Sequence, residues 1–229
     1  MVFGETGAGK SSVITMILGG NEAITKNSQL GLPLQNAVYP VKIDGKTYNL
    51  HDTVGLEERS SNANGARAAG NLYRLVAELS NAGGISLLVY VVKSNNRTPE
   101  ILCKNYNLLH HGFCNSEVPI VVVVTGCENV KPTMDTWWID NEASFTKVGM
   151  SFDGHACVCA HSGRKIYPNY LDEDLVEDSV DVVRQLVVEN CRSNGWKRVR
   201  HPYPKSSRVQ NSLKHLPFSH LLTRRSPPR

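Results

Sequence analysis

The chain has 229 residues, 41% of them hydrophobic and 20% charged, with a formal net charge of +4. That is enough for one α/β domain of ordinary size plus an appendage. Its longest apolar runs, 85–92 and 119–124, have strand length and fall far short of a membrane span.

The amino terminus, MVFGETGAGK, carries neither the basic n-region nor the apolar h-region of a secretory signal, so an intracellular, cytoplasmic placement is expected. The six cysteines contain no C-x-x-C pair. Ordinary buried thiols are the expectation, with a zinc or redox centre at Cys157-x-Cys159 as the alternative.

In chain order, Met1–Phe3 reads as a strand stub, shorter than the usual 5–6 residues, which suggests an incomplete first strand. Gly4-Glu5-Thr6-Gly7-Ala8-Gly9-Lys10-Ser11 then satisfies G-x-x-x-x-G-K-[ST] at every specified position. Glycines let the backbone curl so that successive N–H groups, from Glu5 to Ser12, converge on a phosphate. Lys10 adds a mobile positive charge, and the Ser11 hydroxyl suits a metal ion at the positive end of the following helix. The alternative is a glycine-rich turn that matches by accident. A dinucleotide fingerprint is disfavoured, because Ser12 stands where its third glycine would be.

A helix should follow from Lys10 to Leu18, ended by Gly19-Gly20. Val38–Ile43 and Lys46–Asp52 flank Asp44-Gly45, a hairpin signal that makes two antiparallel strands. Asp52-Thr53-Val54-Gly55 closes the second of them. Its aspartate is placed to hold Mg²⁺, and the Gly55 N–H to approach a terminal phosphate; a plain turn is the other reading. Next come a helix over 67–81, a strand over 85–92, and a helix begun by Thr98-Pro99-Glu100. Ile120–Thr125 reads as a buried strand, 135–147 as a helix and 155–160 as the last strand. The closing helix has Asp172, Glu173 and Asp174 in its first turn and a Val176, Val180, Val183, Val187 stripe for the sheet. Trp137 and Trp138 read as packing residues, and His110-His111 as a solvated helix end.

After Asn194-Gly195 the composition changes. Residues 194–229 contain nine Lys/Arg and no acid, leaving sixteen basic against twenty-one acidic residues, a net −5, in 1–193. The division expected is therefore a domain over 1–193 and a basic tail over 194–229, disordered or loosely attached from 196. Alternating strands and amphipathic stretches give an α/β class, with a mostly parallel sheet, one antiparallel strand from the hairpin and helices on both faces.

The phosphate-loop residues and Asp52–Gly55 together resemble the Ras-like, translation-factor-related P-loop GTPases. Phe3–Ser12 looks most like the septin and AIG1-like (immune-associated nucleotide-binding) branch, which includes stand-alone G domain-containing proteins of mushroom-forming fungi. The resemblance spans about residues 1–190. It implies a three-layer P-loop NTPase fold that binds GTP and GDP with Mg²⁺ held by Ser11 and Asp52.

It also implies base reading by N/T-K-x-D, here Thr125-Gly126-Cys127-Glu128, with the lysine replaced by Gly126 and the acid one carbon longer. Cys159-Ala160-His161 stands at the last base motif, which aims the Ala160 N–H at the guanine O6. Two departures bear on turnover. Residues 26–38 hold no switch threonine, and Leu56 stands where a glutamine would orient water. No catalytic residue is assigned; Lys10 supports transition-state charge, and Glu57, Glu58, Arg59 or a residue supplied in trans could assist.

The resemblance thus implies slow GTP hydrolysis. A non-catalytic, nucleotide-gated interaction or dimerisation module and an ATP-binding P-loop protein are the alternatives. Implied partners are GTP/GDP and a second copy or another protein. Nucleic acid is not expected, and the basic tail offers at most a contact with anionic membrane.

Overall fold

The computed structural model describes residues 1–19, 38–53, 62–95, 99–160 and 173–198. Expectations for 26–37, Gly55–Arg59, His161 and 199–229 lie outside the described residues. In chain order the elements are β1 (Val2–Gly4), α1 (Lys10–Leu18), β2 (Val38–Ile43), β3 (Lys46–His51), α2 (Asn62–Ala82), β4 (Leu88–Lys93), α3 (Pro99–Tyr106), β5 (Ile120–Thr125), α4 (Thr136–Lys147), β6 (Gly154–Val158) and α5 (Glu173–Asn190). A π-helical segment, Asn107–Phe113, continues α3.

Strand periodicity decides the layers, because successive side chains on a strand point to opposite faces. Leu88, Tyr90 and Val92 of β4, with Ile120, Val122 and Val124 of β5, join the core under α2, α3 and α4. Val89 and Val91, with Val121 and Val123, join the core under α1 and α5. A sheet apolar on both faces must be covered on both, and it runs parallel throughout in the order β1-β4-β5-β6. The expected valine stripe of α5 supplies buried Val183 and Val187 and half-buried Val180 to this second core.

β2 and β3 form a separate antiparallel pair, turned by Asp44 and Gly45 at φ 49° and 76°. Positive φ at both central residues is the hairpin geometry that Asp-Gly favours. A single parallel bridge, Val2 with Asp52, and the Thr53 N–H bonded to the Val2 carbonyl at 3.2 Å join this pair to β1. That junction carries the end of β3 to the phosphate loop. Arg184 of α5 secures the other side by donating to the Ile17 carbonyl (3.1 Å) at the end of α1 and to the Lys42 carbonyl (3.3 Å).

Three boundaries differ from the sequence reading. α2 starts at Asn62, earlier than expected, because its polar first turn carries no apolar stripe to announce it. β4 starts at Leu88, since Ile85 pairs instead with Trp196: each N–H donates to the other's carbonyl, at 2.8 and 2.9 Å. β6 stops at Val158, where the Cys159 N–H turns to the Ser179 hydroxyl (3.1 Å).

Trp196 corrects the expectation of a loosely attached segment from 196. It is buried, its indole N–H donates to Glu117 (3.0 Å), and Arg198 lies over the Tyr73 ring. The packed chain thus reaches Arg198. At Gly84 (φ 99°) a Cβ would lie 2.4 Å from the Gly195 carbonyl carbon, so two backbones meet where no side chain fits.

His110 is also corrected. It lies within the π-helical segment, buried, with Nε2 at 3.1 Å from the Val118 carbonyl oxygen. Burial first, and the neighbouring His111 next, push its pKa down from 6.5 to about 4. His51 at the end of β3 is pushed down to about 4 by burial.

Above pH 6.5 both imidazoles are neutral, folded or unfolded. Between 6.5 and 4 the unfolded chain takes up the protons first, so stability is lost as pH falls. The His110 contribution reaches at most roughly 3 kcal/mol at pH 4. Urea unfolding at pH 7.5 and 5 should show the loss, and His110→Leu should flatten the slope.

Candidate functional site

Gly4 to Lys10 turn from β1 into α1 beneath the ends of β4 and β5. Each glycine of the loop has a local cause. Gly4 sits at φ 152°, and a Cβ there would lie 2.3 Å from the Val91 carbonyl oxygen. Gly9, at φ 94°, would bring a Cβ to 3.0 Å from the Thr125 methyl. Gly7 has φ 78° and open space around it. The Ala8 N–H closes the turn on the Glu5 carbonyl (3.2 Å), and the Val13 N–H starts the helix on the Gly9 carbonyl (3.0 Å).

Lys10 folds back over this turn and donates to the carbonyls of Glu5 (2.9 Å) and Gly4 (3.3 Å). Burial lowers its pKa, while the carboxylates of Asp52 and then Glu5 oppose that. The first-turn N–H groups of α1 have no intrahelical acceptor, so they add a positive helix end to the same place. Ser11 and Thr6 are exposed, and Ser12 and Gly9 half-buried, along the open side of the loop.

Asp52 comes from the other direction, off the end of β3. Its Oδ1 is buried and bonds to no neighbour. Burial raises its pKa, against the opposing effects of Lys10 and of the Thr53 backbone N–H. A carboxylate oxygen held dry beside a lysine, with one acceptor unspent, suits a hard cation. The described residues thus set Asp52 beside Lys10 at the loop, with exposed Ser11 next along the chain. Among them, no cluster of three or more His, Cys, Asp or Glu forms an all-protein metal cage. Gly55 lies outside the described residues.

The second half of the site is the turn after β5. Thr125 is buried, and its hydroxyl donates to the Ala8 carbonyl at 2.8 Å, with the Val92 carbonyl at 3.3 Å. Its side chain is therefore engaged with the phosphate loop. Gly126 (φ 80°) follows, and half-buried Glu128 comes after Cys127, whose N–H continues toward β6 by donating to the Val158 carbonyl (3.2 Å). Ala160, half-buried, lies just past the end of β6. Cys157 packs in the core beside the Cys127 thiol. Among the described residues all six cysteines are free thiols.

The sequence reading missed Ser94. Its hydroxyl donates to the Gly126 carbonyl (2.6 Å) and its N–H to the Thr125 carbonyl (2.8 Å). The Trp137 indole N–H in turn donates to the Ser94 carbonyl (3.1 Å). Trp138 stacks on His155 with ring centroids 4.9 Å apart. A Lys-Ser pair ending an apolar strand was the only available signal, and nothing in it names a partner.

The family model described as 50S ribosome-binding GTPase matches residues 1–125. No curated protein matches. Among solved structures the chain is similar to a point variant of SsGBP, with a TM-score of 0.53 and 12% identity over 82% of this chain and 54% of that one. It is also similar to a dimerization-deficient mutant of Toc33 from Arabidopsis thaliana, with a TM-score of 0.52 and 18% identity over 86% of each chain.

A further structure concerns the chloroplast translocon components atToc33 and psToc159, for whose GTPase activity dimerization is important. Its TM-score is 0.52, with 18% identity over 84% of this chain and 83% of that one. At these identities the likeness is one of fold, and the chain spans about half the length of SsGBP.

Replacing Thr125 by valine keeps its shape but leaves the Ala8 carbonyl without its donor. The nucleotide-free protein should lose roughly 1–3 kcal/mol of stability, read from the urea midpoint at constant m-value.

Proposed function

Because this chain belongs to the 50S ribosome-binding GTPase family, we propose that it binds GTP and GDP with Mg²⁺ and hydrolyses GTP slowly. The observation that carries this reading is the buried, unpartnered Oδ1 of Asp52 set beside Lys10 and the phosphate loop. In the proposal, backbone N–H groups from Glu5 through Ser12, across Thr6, Gly7, Ala8, Gly9 and Lys10, receive the phosphate oxygens. Lys10 exchanges its contacts with the Gly4 and Glu5 carbonyls for the β- and γ-phosphates. Ser11 and Asp52 hold Mg²⁺, which when bound neutralises charge that develops on the phosphate oxygens. The Gly55 N–H meets the γ-phosphate.

Guanine selection falls to Glu128, whose carboxylate would accept from the ring N–H and the exocyclic amine, and to the Ala160 N–H. Adenine offers no match for that acceptor pair, and a buried polar group left unmatched is costly. Thr125 acts through the loop, since its hydroxyl is already bonded to Ala8. The assignment to a septin or AIG1-like branch, and a domain distinct from a basic tail, belong to the same proposal. Among the described residues no helix is long and apolar enough to cross a membrane.

Leu56 offers neither donor nor acceptor to a water molecule, which supports slow turnover and gives weight to a second reading, a nucleotide-gated module that pairs with another copy. Dimerization matters to the GTPase activity of the translocon components, and a homodimer is the partner proposed here. Electrostatic support from Lys10 and the loop amides remains even so, and turnover should lie near that of an unassisted Ras-like domain, roughly 10⁻⁴ to 10⁻³ s⁻¹.

Calorimetric titration of GTP, GDP and ATP with and without Mg²⁺ tests the binding. GTP and GDP should bind, more tightly with the metal, and ATP should not compete. Equal affinity for ATP would instead favour an ATP-binding P-loop protein. Lys10→Ala should weaken triphosphate binding by roughly 1.5–3 kcal/mol, and Glu128→Ala should erase the preference for GTP over ATP. Single-turnover phosphate release across a protein concentration series separates the two readings. A rate that climbs with concentration supports assistance in trans, and background release with GTP tightly bound supports the non-catalytic module.

A further inference from the structure

Lys93 ends β4 on the side of the sheet that holds the phosphate loop. Two observations place it there. Along β4, Val89 and Val91 face the core under α1 and α5, while Leu88, Tyr90 and Val92 face the other core, so Lys93 falls next on the α1 side. It is also the register partner of Thr125, whose side chain points at Ala8 and Gly9 on that same side.

The lysine stem then runs past Gly126. A Cβ at Gly126 would lie 3.9 Å from Lys93 Cγ and 4.0 Å from its Cε, which is ordinary contact distance. The family pattern has a lysine at position 126, and this chain has none there; a lysine from the neighbouring strand fills the adjoining space. Ser94 fixes this arrangement, because the residue that follows Lys93 bonds to both the Thr125 and Gly126 carbonyls.

From this juxtaposition we infer that Lys93 is a nucleotide-contact residue, its stem lying against the purine face and its ammonium reaching the oxygens of the bound nucleotide. The inference rests on the guanine-nucleotide reading above and assigns the position vacated at Gly126. A half-buried lysine stem covers apolar or aromatic surface while its charged end stays at a polar edge. Over a purine, the same group adds attraction between a cation and an aromatic face. The glycine at 126 is required by its φ of 80° and by the Ser94 hydroxyl, 3.2 Å from where a Cβ would stand, and it leaves the Lys93 stem in ordinary contact alongside.

The test is calorimetric titration of the full chain with GDP and Mg²⁺, in wild type, Lys93→Ala, Lys93→Met and Lys93→Arg, beside thermal melts of the nucleotide-free proteins. Lys93→Ala should weaken GDP binding roughly tenfold. Lys93→Met, which keeps the stem and loses the charge, should fall between, and Lys93→Arg should stay within about threefold of wild type. Nucleotide-free melting midpoints should agree within about 2 °C, as for a surface substitution.

Wild-type affinity in Lys93→Ala would overturn the inference while leaving the guanine-nucleotide reading intact. So would a nucleotide-free midpoint that falls in step with affinity, which marks a structural role. A wild-type chain that binds no GDP would overturn both.

Discussion

The hydroxyl of Thr125 donates to the carbonyl of Ala8 from a buried position at the end of β5, with Gly9 in contact with its methyl group. That bond joins the two halves of the site. It fixes the phosphate loop against β5, and through the Val92 carbonyl against β4. The Thr125 main chain holds Ser94, which holds Gly126, and Trp137 holds Ser94 in turn. The Gly4–Ser11 loop and the turn after β5 thus share one anchor.

The parts of this fold that could be read from sequence are those with a local cause. Asp44-Gly45 forms the expected hairpin because two adjacent positive φ values are a property of those residues. Lys10–Leu18 forms the expected helix, ended by Gly19 at φ 95°, and Ile120–Thr125 the expected buried strand, because five apolar residues bounded by turn signals have few other uses. Where partners distant in sequence decide, the reading slipped. Ile85 was apolar enough for β4, yet its hydrogen bonds go to Trp196. His110 looked solvated beside a second histidine, and the wide π-helical turn buries it.

The site divides in the same way. Lys10, Ser11 and Asp52 were legible as candidates because the phosphate loop and the strand-end aspartate are each a compact pattern, and the fold sets Asp52 beside Lys10. Thr125 was legible as a position but not in its engagement, since bonding to Ala8 is a contact across 117 residues. Ser94 and Lys93 carry no signature of their own. Their placement follows only from β4 and β5 running side by side in a register that sets Lys93 against Thr125.

The bridge between Ile85 and Trp196 lies at the opposite end of the sheet from the phosphate loop, because Ile85 precedes β4 and Lys93 ends it. A six-residue strand separates the two ends by roughly 20 Å. The last described residue, Arg198, follows two positions after Trp196 and lies over the Tyr73 ring of α2. Trp196 and Arg198 are therefore held at the end of the sheet remote from the Gly4–Ser11 loop. A substitution at Trp196 would act on the sheet from the end that the loop does not occupy, and its effect would be one of stability rather than of the loop's shape.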